Sequence, residues 1–301
     1  MYYKHSGHFS VSGLLVAAAI GSAAALLLGF SYSQGLVLLS DERMAVLATA
    51  AFGCLSGVAL GYGLVWGKVR NQPIAAALTS TISAFALYLS WAVWVSLTLE
   101  SQHLGTVSWM KLVARPGMLW GLMCAINQDG TWSLGSAPVT KDAALWAVWI
   151  VEAAMVIGLA LSIQKAIVGL HAFCERCERW CSRGAKIALS LPQSLTQLNL
   201  QLEANDLRSP ESLGPASPGA DHLLAELDSC AQCHQLDTLS LTLTTIRKSR
   251  LGKPTIRNKK VLGHLLIAPA SAQVLRLLSE ETAMAMKLNS AKAKSAAAGK
   301  K

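Results

Sequence analysis

Two pairs of cysteines have the clearest chemical potential in this sequence. Cys174 and Cys177 form one CxxC pair, and Cys230 and Cys233 form a second pair after 52 intervening residues. Thiolates at this spacing bind zinc tetrahedrally when two such turns meet, so these four residues are predicted to hold one structural zinc ion. Three neighbouring donors are left outside the predicted ligand set: Cys181, His171 and His234.

A CxxC pair can also act as a redox dithiol, which makes a membrane thiol oxidoreductase the alternative interpretation. A thioredoxin-like site places the pair between a strand and a helix. The residues that follow Cys177 are typical of a turn instead, which favours metal binding. Ordinary buried or exposed thiols are the third possibility, and all three remain open at this point.

Glu152 is the second candidate, because it lies about halfway along an apolar segment, Ala143 to Gln164. A carboxylate at membrane depth is costly, so it either becomes protonated or finds hydrogen-bond donors. The first case would suit a proton or ion site in a small transporter. The second would suit a carboxylate that fixes helix packing against Ser, Thr or Trp of a neighbouring segment. Glu152 is therefore a candidate intramembrane functional residue with two interpretations.

Composition separates the chain into two halves. The 301 residues are 52% hydrophobic and 14% charged. Residues 1–164 hold 7 Lys and Arg against 6 Asp and Glu, whereas residues 165–301 hold 19 against 11, so most of the net charge of +9 lies in the second half. No activated nucleophile, phosphate-binding loop or acid–base pair is visible, which disfavours an enzyme.

Four segments meet the requirement of about 20 apolar residues for a membrane-spanning helix. They are Phe9–Phe30, Met44–Trp66, Ile74–Leu99 and Ala143–Gln164. The sequence therefore predicts an α-helical membrane bundle of four transmembrane helices in residues 1–165, with an outer loop at 100–142. Within that loop, the apolar run 117–126 is too short to span a bilayer and predicts an interfacial or re-entrant helix.

Loop charge predicts the orientation of the bundle. Lys68 and Arg70 lie between the second and third segments, and the positive-inside rule assigns that loop to the cytoplasm. Both termini are then cytoplasmic, and the protein is predicted to be a multi-pass inner-membrane protein. Because the cytosol is reducing, the cysteines of the second half are not expected to form structural disulfides.

Small residues recur every fourth position in the first two segments. The first segment carries Gly13, Ala17, Gly21, Ala25 and Gly29, and the second carries Gly53, Gly57 and Gly61. Such stripes let helix backbones approach closely, which predicts a tight hairpin between the two segments. A homo-oligomeric interface is the alternative.

Residues 166–290 are predicted to form a small α+β cytosolic domain with a four-cysteine site. Strands are expected at 186–191, 239–246 and 260–268, and the last two should pair. Helices are expected at 194–206 and 221–228, and a third should start at Ser271. Residues 209–218 are predicted to be a linker, and residues 291–301 a disordered basic tail.

Seven cations without an acidic neighbour separate the last two predicted strands. They are Arg247, Lys248, Arg250, Lys253, Arg257, Lys259 and Lys260. A solvated hairpin is the first interpretation, and contact with anionic lipid head groups is the second. Nucleic acid is disfavoured, because the patch has no aromatic residues and no nucleic-acid-binding motif surrounds it.

Short motifs with a shared pattern are spread over most of the chain. They are Arg70-Asn71, Tyr88-Leu-Ser-Trp91, Gly130-Thr-Trp132-Ser133, Trp149-Ile-Val-Glu152-Ala and Phe173-Cys-Glu-Arg-Cys177-Glu-Arg-Trp180. Together they resemble a pattern in uncharacterised bacterial multi-pass inner-membrane proteins with a cytosolic cysteine-rich domain. The resemblance implies the architecture and a bacterial inner-membrane location. It implies no activity.

Two functions of different classes follow. The first is a membrane-anchored scaffold or sensor whose zinc-stabilised cytosolic domain binds a protein partner. The second is a membrane thiol oxidoreductase, or a small transporter that uses Glu152. The absence of catalytic motifs in the sequence favours the first.

Overall fold

The computed structural model describes residues 1–39, 42–101, 105–130, 139–204, 213–217, 220–248 and 254–281. The chain divides into two compact units. The helical unit comprises Ser6–Leu170, and the soluble unit comprises His171–Lys301 together with the first five residues, Met1–His5. The predicted tail at 291–301 lies outside the described residues.

Four long helices build the helical unit: α1 (Val11–Leu38), α2 (Glu42–Trp66), α3 (Gln72–Ser101) and α6 (Asp142–Gly169). Each is long and apolar enough to cross a bilayer, which confirms the four predicted segments. Ser10 caps α1, because its hydroxyl accepts a hydrogen bond from Gly13 N–H at 3.0 Å. These features are consistent with a membrane protein.

The glycine stripe of α2 packs against α6. A methyl group built on Gly57 would lie 2.7 Å from the carbonyl oxygen of Ala160, and one on Gly53 would lie 3.0 Å from that of Val156. The expectation that this stripe faces α1 is therefore wrong. Gly63, on a different face of α2, and Gly67, directly after the end of α2, meet α1 instead. Periodicity identified a close-packed face, but it could not choose between two neighbouring helices.

Two short helices, α4 (Trp109–Ala114) and α5 (Pro116–Asp129), lie in the predicted outer loop. They pack with α3 and α6 around the buried side chains of Leu112, Leu119 and Leu145. The hydroxyl of Tyr88 donates to the carbonyl of Val113 at 2.9 Å, which ties α4 to α3. The helix predicted at 117–126 is therefore present as α5.

The soluble unit is a four-stranded antiparallel sheet covered on one face by helices. The strands β3 (Ser182–Leu189), β4 (His222–Ser229), β5 (Asp237–Lys248) and β6 (Pro254–Leu266) follow one another in space as in the chain. A separate two-stranded hairpin, β1 (Phe173–Cys174) and β2 (Arg179–Trp180), precedes them. Helix α7 (Leu195–Glu203) and a helix at 269–281, named α8, contribute leucines to the core beneath the sheet.

Local sequence preference misassigned one strand. Residues 221–228 were predicted to be helical, but they form β4, which pairs with β3 on one side and β5 on the other. Leu223, Ala225 and Leu227 point into the core at alternate positions, the period of a strand. Two neighbouring strands override the helix preference of this Leu/Ala/Glu-rich segment. Helix α8 also begins before Ser271, since Ala272 N–H already bonds to the carbonyl of Ala268.

Candidate metal centre and intramembrane carboxylate

Each cysteine pair lies on the turn of a β-hairpin. Cys174 and Cys177 flank the turn from β1 to β2, and Cys230 and Cys233 lie in the turn from β4 to β5. The second turn closes through two backbone bonds, from Cys230 N–H to the carbonyl of Leu236 at 3.0 Å and from His234 N–H to the carbonyl of Cys230 at 3.1 Å. The hairpins therefore fix the backbone on both sides of each pair.

The two turns share an unusual backbone conformation. The residue directly after the second cysteine has a positive φ in both cases, 48° at Glu178 and 50° at His234. A left-handed conformation is costly for residues other than glycine and persists where the surroundings impose it. Its recurrence at equivalent positions shows that both pairs adopt the same kind of tight turn. A side-chain bond from Arg176 to Gln235 also joins the two turns.

The turns bring the four thiols together. All four Sγ atoms lie within 4.8 Å of one another, and those of Cys174 and Cys233 are 3.5 Å apart. The cysteines are free thiols, so no disulfide joins them. Four convergent sulfur ligands are the donor set of a tetrahedral metal site. The structure thus shows a four-cysteine cluster that could hold a metal ion.

Apolar side chains surround this cluster. Cys174 and Cys230 are buried, and Ala172, Cys181, Tyr3 and Leu236 pack against them. Cys181 is about as buried as Cys174 and more buried than Cys177 and Cys233, but it does not belong to the group of four. His171 and His234 also lie outside the group.

The thiols compete for charge. Burial raises the pKa of the Cys230 thiol, but the N–H groups of Cys233 and Gln232 and the thiols of Cys233 and Cys174 outweigh burial and lower it to about 6. Burial, followed by the thiols of Cys233 and Cys230, raises the pKa of Cys177 to about 12. One thiolate therefore suppresses the next, and only a cation among the four sulfurs would favour their joint ionisation.

Hairpin placement also bears on the redox alternative. A thioredoxin-like dithiol lies at the start of a helix, where backbone N–H groups and the helix dipole stabilise a single thiolate. Both pairs here are followed by strands, β2 and β5, and each faces the other pair. The geometry matches a metal knuckle better than a dithiol site.

Arg276 is a supporting residue that the sequence did not reveal. From α8 its guanidinium donates to Asp237 at 2.7 Å and to the hydroxyl of Ser229 at 2.9 Å. Ser229 ends β4 and Asp237 begins β5, so both flank the second cysteine turn. A single arginine thus holds the base of that turn. The available signal was one cation among the apolar residues of a predicted helix.

Glu152 belongs to a hydrogen-bonded group that includes side chains from the other three long helices. The Tyr32 hydroxyl on α1 donates to Glu152 at 2.8 Å, and the same hydroxyl lies 2.7 Å from that of Thr49 on α2. Trp91 on α3 also bonds to the carboxyl group. Tyr32 stacks on Phe52, with the ring centroids 4.7 Å apart. Trp91 is a partner of the kind predicted from the sequence, whereas Tyr32 was missed.

These contacts give the packing interpretation of Glu152 a direct test. Glu152→Gln keeps an acceptor oxygen for Tyr32 and Trp91, so we expect normal membrane abundance, a melting temperature close to that of the wild type and an intact cellular role. Glu152→Ala removes the acceptor and should cost about 1 kcal/mol, the scale of hydrogen bonds between membrane helices. Thermal unfolding in detergent measures both. If Glu152→Gln is folded and abundant but inactive, the proton or ion interpretation is correct instead.

Some of the predicted cations lie on or beside a two-stranded arm of the sheet. Strand β5 pairs with β4 only between Asp237 and Thr244, so its remaining residues have β6 as their sole partner strand in the described part of the sheet. Arg247 and Arg257 lie on this arm, and Lys259 and Lys260 lie next to it on β6, opposite Leu243 and Thr242. All four side chains are exposed. The side chain of Lys248 is not described, and Arg250 and Lys253 lie outside the described residues. Contact of this arm with anionic lipid head groups stays a prediction.

The chain matches no family model, no curated protein and no solved structure. Any functional assignment therefore rests on the cysteine cluster and on the four long helices.

Proposed function

We propose that this protein is a membrane-anchored scaffold or sensor whose zinc-stapled soluble unit binds a cytosolic protein partner. The observation that carries the proposal is the convergence of four cysteine Sγ atoms within 4.8 Å on two hairpin turns. A four-thiolate site leaves no coordination position for water or substrate, which is the arrangement of structural zinc. The metal would therefore shape a surface and would not catalyse a reaction.

Zinc is the metal that best fits this donor set. Thiolates are soft ligands that select zinc, copper(I) or iron–sulfur clusters over calcium and magnesium. A pair of CxxC turns that face each other is the usual framework of a closed zinc site. The expected content is one zinc ion per chain, measured by metal analysis of the purified full-length protein.

Membrane anchoring by the four long helices is supported by their length and hydropathy. We place the protein in a bacterial inner membrane, with the soluble unit in the cytosol. Lys68 and Arg70 support this orientation through the positive-inside rule. The first five residues also belong to the same compact unit as the cysteine cluster, so both ends of the four-helix segment should lie on one side of the membrane.

Reporter fusions test this placement. A reporter that is active only in the cytosol should be active when fused to either end of the chain, because four spans return the chain to its starting side. A matching fusion in the connection between α1 and α2 should be inactive and serves as the control. A periplasmic soluble unit would contradict both the orientation and the reducing environment on which the metal assignment depends.

A further inference from the structure

The first five residues, which we call the clasp, add a short strand to the free edge of the sheet. Tyr3 N–H donates to the carbonyl of His264 at 2.8 Å, and Leu266 N–H donates to the carbonyl of Met1 at 2.9 Å. Both partners belong to β6, the last strand of the sheet. The bonds form an antiparallel bridge centred on Tyr2 and Leu265.

Tyr3 connects the clasp to the cysteine site. Its hydroxyl accepts a hydrogen bond from Phe173 N–H at 2.9 Å and lies 3.2 Å from the Phe173 carbonyl, to which it donates. Phe173 directly precedes Cys174, and the Tyr3 side chain packs against the cysteine cluster. One side chain therefore contacts both the backbone next to a candidate ligand and the buried cluster that contains the cysteines.

His5 extends this contact to the far side of the first hairpin. Its ring packs edge-on against Tyr3 and Trp180, with centroid separations of 5.3 Å and 5.9 Å. Trp180 in turn packs edge-on against Phe173 at 5.0 Å. The clasp thus contacts both strands of the hairpin that carries Cys174 and Cys177.

That hairpin is too small to hold its shape alone. Strands β1 and β2 contain 2 residues each, and a two-stranded hairpin of this size is unstable in water without support. Metal–thiolate bonds would supply the support, because the free energy of metal binding becomes folding free energy. Without metal, the backbone of Phe173 would lose its fixed position, and Tyr3 would lose both hydrogen bonds to it.

We propose that the clasp closes on the metal-loaded site and opens when the metal leaves. Occupancy of the site would then be transmitted along the chain to the segment that leads into α1. This inference rests on the proposed zinc site and adds its regulation, in which the chain itself reads out whether metal is bound. Coupling of this kind is reciprocal, so a closed clasp must also strengthen metal binding.

Hydrogen exchange on the full-length protein in detergent tests the coupling. In the zinc-loaded protein, the amides of Tyr3 and Leu266 should exchange slowly. Removal of zinc by a chelator should accelerate both by about fivefold, the factor that corresponds to the loss of a hydrogen bond contributing about 1 kcal/mol. Amides in the middle of β5 should remain protected, which shows that the sheet has not unfolded.

Tyr3→Phe tests the contact without removing the metal. It keeps the ring but removes the hydroxyl, so the zinc-loaded variant should show faster exchange at residues 1–5 and lose zinc to a competing chelator several-fold more readily. Tyr62→Phe is the matched control, because Tyr62 is half-exposed on α2 in the helical unit, and it should change neither quantity.

The outcomes separate the two proposals. If the wild type binds zinc but exchange at residues 1–5 is the same with and without it, or if Tyr3→Phe retains zinc as tightly as the wild type, the clasp is not coupled to the site and the zinc proposal stands. If the wild type binds no zinc, the proposed function fails, and the proposed coupling between the clasp and the metal site fails as well.

Discussion

Replacing any one of Cys174, Cys177, Cys230 and Cys233 by Ser is expected to remove the bound zinc and to destabilise the soluble unit strongly. Structural zinc binds with apparent free energies of about 10–16 kcal/mol in small domains, and most of this stabilises the fold. A whole domain is stable by only about 5–15 kcal/mol, so loss of the site should lower the melting temperature sharply. Metal analysis and thermal unfolding of each variant, with and without chelator, measure the effect.

Cys181→Ser is the matched control for this series. Cys181 is 5% exposed and packs within the same cluster, so the change removes a sulfur atom from a position about as buried as that of Cys174, which is 4% exposed. It should keep one equivalent of zinc. Its free energy of unfolding should fall only by the smaller amount that burial of a hydroxyl costs. If the wild type carries less than about half an equivalent of zinc and melts unchanged with chelator, the site is not structural zinc and the dithiol interpretation replaces it.

Gly57→Leu is expected to disrupt the helical unit. The first carbon of any side chain at this position would lie 2.7 Å from the carbonyl oxygen of Ala160 and 2.9 Å from its Cα. These are backbone atoms of α6, which cannot rotate away, so α2 and α6 must separate. Overpacking in a tight interface typically costs about 1–3 kcal/mol, and close contact is the main force that holds membrane helices together. We expect a lower melting temperature in detergent and reduced abundance in the membrane.

Gly158→Leu makes the same change on α6 at a position with no other side chain or distant backbone within 4 Å. It should leave stability and abundance near the wild-type values, since the new side chain points away from the packed helices. Equal destabilisation by both substitutions would mean that added bulk anywhere in the bundle is harmful. The close approach of α2 to α6 would then not be the cause of the effect at Gly57.

The elements best predicted from the sequence are those with a local physical signature. Length and hydropathy identified the four helices, because a bilayer-spanning segment needs nothing beyond its own composition. The cysteine pairs were identified for a similar reason, since the CxxC spacing carries the geometry of a tight turn within four residues. Convergence of the two pairs was a hypothesis from chemistry, and the structure shows it.

The features that sequence reasoning missed depend on residues far apart in the chain. Tyr3 meets Phe173 and Tyr32 meets Glu152 across 170 and 120 residues. No spacing rule connects such positions. Strand β4 was mistaken for a helix for the same reason, because its conformation is imposed by the strands on either side. The α2 stripe marked a face correctly, but only the assembled bundle determines which helix that face meets.

The 52 residues between the two cysteine pairs have a consequence for the denatured chain. A cross-link from Cys177 to Cys230 closes a loop of that length, and in a chain-entropy treatment such a closure removes about 4 kcal/mol of denatured-state entropy at 25 °C. The dependence on length is logarithmic, so doubling the loop would change this by only about 0.6 kcal/mol. The stretch between α7 and β4 could therefore vary in length and composition among variants of this protein while a metal bound to the four thiols would keep the ends of the loop together.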